Sequence, residues 1–183
     1  MGPGPTPPPG PPSTPARDNA AAALTLLAAL MQHGLRHLVL CPGSRSAPLA
    51  VAAALLEPLG LTLRTGIDER SAAFLALGWS RAEGMPAAVV TTSGTAVAQL
   101  LAAAVEADLG TIPLLLLTAD RPAWLKNCGA NQAVPQEGFL LASCRRLLEG
   151  PVQGLARASR SDLEDLAEHA MAAARGGDGP DPP

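Results

Sequence analysis

Tyrosine is absent from this 183-residue chain, and two phenylalanines and two tryptophans bring aromatics to only 2%. A core without large rings must be built from Ala, Leu and Val, which favours helices packed closely on a sheet; apolar residues, at 48%, suffice for one. The same scarcity excludes the stacked aromatic platforms that hold single-stranded nucleic acid. Positive charge is also in short supply: 13 Lys and Arg against 16 Asp and Glu leave a formal charge of −3, so no basic field attracts a phosphate backbone. The three cysteines, Cys41, Cys128 and Cys144, are odd in number and show no CxxC spacing. They fit neither a disulfide framework nor a zinc site, and point to a reducing compartment. No apolar run approaches the roughly 20 residues of a membrane span, and no basic segment leads into an apolar one as in a secretory signal. The expectation is a cytoplasmic protein with no membrane span, no nucleic-acid partner and no metal ligands of its own.

Proline, by contrast, is plentiful and unevenly placed: eight of the 19 fall within residues 1–16. Such a stretch samples extended polyproline conformations and cannot bury a core, so a disordered tail is predicted there. Asp18-Asn19 then offers an N-cap for a helix through His33, with Gly34 just past its end and Leu24, Leu27 and Met31 on one face. Strand-like runs follow at 37–41, 61–65, 87–92 and 113–118, alternating with helical patterns at about 46–57, 69–83 and 95–108. The runs Ala87–Thr91 and Pro113–Leu117 are apolar without a break, the pattern of strands buried on both faces. The expected fold is therefore α/β, a mostly parallel sheet with helices on both faces, in one domain over 17–176. Beyond Asp120 the pattern weakens. A short helix is predicted from Phe139 to Cys144, a strand from Arg145 to Leu148, and a helix opened by a capping box at Ser161-Asp-Leu-Glu164. Residues 177–183 read as a linker.

In such a sheet the loops after the strands share one edge, and those loops carry unusual polar content. They hold Ser44 and Arg45 after the first strand, Asp68, Glu69 and Arg70 after the second, and Thr92, Ser93, Gly94 and Thr95 after the third. Asp120 and Arg121 follow the fourth, with Asn131 and Gln132 further on. Each has an ordinary structural reading: Ser44, Ser93 and Asp68 could cap helices, Glu69 could answer a helix dipole, and loop arginines are usually solvated. Their convergence at one crevice favours a site that binds anions and holds a carboxylate for acid–base work. Neither GxGxxG nor GxxxxGK[ST] occurs, and Ser93 is not in a G-x-S-x-G elbow.

Five ordered motifs make the pattern recognisable: Pro42-Gly-Ser-Arg-Ser46, Asp68-Glu-Arg70, Thr92-Ser-Gly-Thr-Ala96, Leu117-Thr-Ala-Asp-Arg-Pro122 and Cys128-Gly-Ala-Asn-Gln132. Together they resemble the N-terminal domain of the MenD family, the thiamine-diphosphate-dependent 2-succinyl-5-enolpyruvyl-6-hydroxy-3-cyclohexene-1-carboxylate synthases of menaquinone and phylloquinone biosynthesis. The resemblance spans about residues 18–175. It implies a domain that holds the cofactor's aminopyrimidine ring, with the catalytic glutamate at Glu69, desolvated and hydrogen-bonded to the ring's N1′. It also implies that Pro42, Ser93 and Thr95 shape the ring pocket. Ser44, Arg45, Arg121, Asn131 and Gln132 are implied to bind the dicarboxylates 2-oxoglutarate and isochorismate, and arginine grips carboxylates well. A homodimer is implied, since such enzymes build each active site between two subunits.

The chain departs from that family in length. The motif that binds Mg²⁺ and the cofactor's diphosphate lies in a later domain of the family and is not found here. The expectation is a fragment, inactive alone, that lacks the central and diphosphate-binding domains. A stand-alone subunit of a two-chain thiamine decarboxylase and a non-catalytic dicarboxylate-binding module are the alternatives.

Overall fold

Leu38, Val39, Leu40 and Cys41 follow one another without a polar break, and the computed structural model, which describes residues 15–151 and 154–177, shows why. They end a strand, β1 (His37–Leu40), that lies inside a four-stranded parallel sheet covered on both faces. The other strands are β2 (Thr62–Thr65), β3 (Ala87–Thr91) and β4 (Leu114–Thr118), in the order β2-β1-β3-β4. Side chains alternate across the sheet even where the sequence does not. Leu38, Leu40, Ala88, Val90 and Leu115 enter one apolar cluster, and Val39, Cys41, Ala87 and Val89 enter the other.

On the first face pack α1 (Pro15–Gln32), α2 (Ala47–Leu56) and α6 (Arg160–Ala174). On the second pack α3 (Glu69–Glu83) and α5 (Leu101–Leu109), with the short α4 (Thr95–Ala98) before α5. Alanine allows this closeness: Ala72, Ala73 and Ala76 of α3 and Ala103 and Ala104 of α5 are all buried against the sheet. The α/β fold with helices on both faces is thus as the apolar runs implied. Among the described residues, no helix is long and apolar enough to cross a membrane.

Several local expectations are corrected. The first helix begins at Pro15, so Asp18 sits inside its first turn rather than at its cap, and Pro15 and Ala16 belong to the helix, not to the tail. Proline suits a first helical position because its missing N–H needs no partner there. The remaining tail residues, 1–14, lie outside the described residues, as do 178–183 of the predicted linker. The predicted helix over 95–108 is two helices, because Leu100 N–H turns back to Val97 O at 3.1 Å and tightens the chain between them. Residues 139–144 form 3₁₀ turns, Gln136–Phe139 and Leu141–Ser143, rather than one helix. Arg145 to Leu148 is not a strand; Arg145 instead donates to Ala173 O at 3.3 Å and ties this stretch to the end of α6. The capping box of α6 is Ser159 with Asp162, two residues earlier than predicted, through bonds of 3.1 and 2.9 Å. An aspartate serves there in place of the expected glutamate. Gly34 does close α1, at φ +106°, where only glycine is at ease.

Leu30 lies fully buried where α1 meets the sheet. Leu30→Ala is expected to cost about 2–5 kcal/mol of stability, read as a lowered midpoint in urea unfolding with an unchanged slope.

Candidate functional site

Strand order reverses between β1 and β3, so the crevice of the sheet opens outside the carboxyl ends of these two neighbours. The loop after β1 is closed by its own buried Ser46, whose hydroxyl donates to Gly43 O at 3.1 Å and reaches Cys41 O at 3.4 Å. Gly43 lies flat on the loop after β3, where a Cβ would land inside the Thr92 side chain. Pro42, Ser44 and Arg45 stand exposed on the rim above this contact.

The acidic pair comes from the loop after β2. Gly66 N–H extends the ladder to Leu40 O at 2.9 Å, and Asp68 caps α3 by accepting from Ser71 N at 2.7 Å. Those bonds to Ser71 hold the Asp68 carboxyl below its usual range. Glu69 is the first residue of α3, half-buried at the mouth of the crevice. Its nearness to the sheet registers on Cys41: burial first, then the charges of Glu69 and Asp68, push this thiol up to about 11. Glu69 is partly buried in this chain, and Ile67, two residues before it, is 92% exposed.

The loop after β3 supplies the buried polar floor. Thr91 and Ser93 are both wholly buried, and neither hydroxyl has a hydrogen-bond partner. Buried hydroxyls left unpaired are costly, so they mark places where a polar group belongs. Capping does not account for Ser93 or Ser44, since α4 is capped by Gly94 and α2 by Ser46, whose hydroxyl is turned to its own loop. It does account for Asp68. Thr95 is exposed at the start of α4.

The fourth side is the long loop after β4. Arg121 donates through Nη2 to Gln132 Oε1 at 3.3 Å, while its buried Nε has no partner. Gln132, held at φ +58°, packs against Gly94, so this loop touches the loop after β3; Asn131 beside it is exposed. Lys126 joins the loop's two ends, bonding Asp120 at 2.6 Å and also Glu137. The Glu137 carboxyl is held below its usual range by that ammonium, and the Lys126 pKa is raised by Asp120 and then Glu137. Glu69 and Cys41, Gly43 and Thr92, and Gly94, Gln132 and Arg121 are thus brought to one edge, with Ser44, Arg45, Asn131 and Thr95 on its exposed rim. Two residues here carried no sequence signal. Thr91 belongs to an apolar strand run, and Gln136, buried at 4% exposure beneath the last loop, lies in no periodic pattern. A hollow of about 320 Å³ lined by Arg81, Gly84, Thr111 and Pro113 opens at the opposite, amino ends of β3 and β4, away from all these groups.

The sequence matches the family described as "Thiamine pyrophosphate enzyme, N-terminal TPP binding domain" over residues 21–140. The 2-succinyl-5-enolpyruvyl-6-hydroxy-3-cyclohexene-1-carboxylate synthase of Synechococcus sp. (strain RCC307) is 63% identical over 161 residues, 88% of this chain and 28% of that protein. The synthase of the same name from Synechococcus sp. (strain CC9605) is 61% identical over 87% of this chain and 29% of its own length. That from Prochlorococcus marinus (strain MIT 9313) is 65% identical over 75% of this chain and 24% of its own. The chain therefore spans about a quarter of the length of these curated relatives, from 24% to 29%.

The site's electrostatics separate its thiols. Cys41, buried and pushed up to about 11, is expected to stay silent toward Ellman's reagent at pH 8, while exposed Cys128 reacts within minutes. Thiol counting before and after addition of denaturant checks this; early labelling of Cys41 would mean that the floor of the crevice is open.

Proposed function

Because the chain belongs to the family of N-terminal TPP-binding domains of thiamine pyrophosphate enzymes, we propose that it is the pyrimidine-holding domain of a synthase acting on dicarboxylates. In this reading the whole protein decarboxylates 2-oxoglutarate and adds the resulting succinyl-semialdehyde unit to isochorismate, a step of menaquinone and phylloquinone biosynthesis. The observation that carries the reading is the placing of Glu69 at the start of α3, beside Cys41 and over the crevice between β1 and β3. Support for the reading comes from the named relatives, 61–63% identical over most of this chain, which carry the name of such a synthase. The domain corresponds to residues 17–176, extended by the helical Pro15 and Ala16. Mg²⁺ and the cofactor's diphosphate are then held by the further length that the relatives possess.

The residues fit the group they would hold. Thiamine diphosphate supplies an electron sink for the loss of CO₂ from a 2-oxo acid. Glu69 would meet the pyrimidine ring of that group with its carboxyl and supply a general acid–base residue there. Ser93, its buried hydroxyl unpaired, lines the ring pocket with Pro42 and Thr95. Ser44 and Arg45 on one side, and Arg121, Asn131 and Gln132 on the other, grip the substrate carboxylates; the unpaired Nε of Arg121 is a donor still open to one. The protein acts as a cytoplasmic homodimer. Support for a partner comes from apolar side chains left exposed before and along α3, Ile67 at 92%, Phe74 at 39% and Leu75 at 45%. Covering that surface would also complete the desolvation of Glu69.

Glu69→Gln in the full-length protein is expected to lower kcat by about 10²–10⁴-fold while leaving the fold intact. Release of CO₂ from 2-oxoglutarate, with and without added thiamine diphosphate, is the assay. Undiminished turnover in that variant would remove the proposal.

A further inference from the structure

Among the described residues after β4, Gln136 is the one polar side chain that is almost wholly buried, and its carboxamide is used on both ends. Its Oε1 accepts from Gly94 N–H at 2.9 Å, and its Nε2 donates to Ala119 O at 3.0 Å. These two partners belong to different strand-end loops. Gly94 lies between Ser93 and Thr95 and holds φ +87°, ψ −137°, a conformation open to glycine and hardly to other residues. Ala119 directly follows β4 and stands two residues before Arg121. Gln132, the partner of Arg121, rests on Gly94 itself: a Cβ there would lie 3.1 Å from Gln132 Cβ. One carboxamide therefore joins the turn that carries Ser93 and Thr95 to the segment that carries Arg121 and Gln132.

We propose that Gln136 is the positioning residue of this site, setting the distance between the ring-pocket turn at Gly94 and the carboxylate-binding pair Arg121–Gln132. The inference rests on the function proposed above. The bonding shows how a carboxamide meets both needs at once. Gly94 requires an acceptor and Ala119 a donor, the first bond buried and the second partly so. A leucine at 136 offers neither. An ionised glutamate accepts from Gly94 but turns a second acceptor on Ala119 O, whereas a protonated one restores the donor. The Lys126 bridge between Asp120 and Glu137 holds the loop's ends, so the loop is retained when Gln136 is changed and only its seating on Gly94 is released.

The test uses the full-length protein with 2-oxoglutarate as probe, in wild type, Gln136→Leu and Gln136→Glu. Binding is measured by calorimetry, and hydrogen exchange is followed by mass spectrometry on the peptide that contains Gly94. Gln136→Leu is expected to weaken 2-oxoglutarate about tenfold and to speed exchange at Gly94 by a similar factor. Gln136→Glu is expected to match Leu at pH 8.5 and to return toward wild type at pH 5.5, a recovery that loss of packing alone would not produce. Lys126, Asp120, Glu137 and Arg121 are the charged neighbours, and α4 and the turn Leu141–Ser143 packed beside it carry no titratable group. Between these pH values Lys126 and Glu137 keep their charge, since the first is shifted up and the second down. Wild-type affinity in both variants, or a glutamate variant indifferent to pH, would overturn the positioning role. A wild-type protein that binds no 2-oxoglutarate would instead overturn the proposed function, and the positioning role with it.

Discussion

Parallel pairing of β1 with β3 is the constraint from which the rest of this molecule follows. Leu38, Val39 and Leu40 face Ala88, Val89 and Val90 in register, and Cys41 N–H carries the ladder one step further to Val90 O at 2.8 Å. Both strands are buried on both faces, so a slip of one residue would exchange two apolar clusters that differ in shape. Because the pairing is parallel, both chains leave the sheet on the same side and at the same height. β2 and β4 join outside them in the same direction, and four loops are delivered to a single edge.

What those loops do there depends on close backbone contact. Gly43 lies against Thr92, and Gly94 lies under Gln132; in each case a side chain on the glycine would push two functional loops apart. Polar bonds then fasten the layers: Ser46 within the first loop, Asp68 at the start of α3, Lys126 across the last loop, Gln136 between the third and the last. The hydroxyls of Thr91 and Ser93 and the Nε of Arg121 are left over after this fastening. A site that satisfies its framework and leaves a few buried polar atoms unpaired has places reserved for the polar atoms of something else. This distribution agrees with a domain that holds one part of a polar cofactor.

Ile67, Phe74 and Leu75 leave apolar side chains exposed before and along α3. The chain's own packing brings the half-buried Glu69 to the mouth of the crevice, at the first residue of the same helix.

The sequence alone carried the fold class and the edge at which the polar strand-end loops gather. Unbroken apolar runs such as Ala87–Thr91 can be satisfied only by burial on both faces, and the polar residues that follow each run have only one end of a parallel sheet to occupy. Boundaries were legible where a residue type enforces them, as at Gly34 and Asp68, and missed where geometry had a choice, as at Pro15, at Leu100 and at the box of Ser159 with Asp162. Glu69, Ser93 and Arg121 could be named because they sit in short local motifs. Gln136 could not, because its two partners are 42 and 17 residues away and nothing in its neighbours signals a buried amide. Local spacing carries information about periodicity, capping and strand ends. Which atoms meet across loops, which hydroxyls remain unpaired and how deeply Glu69 is buried were decided only when the chain packed, since those depend on contacts between segments far apart in sequence.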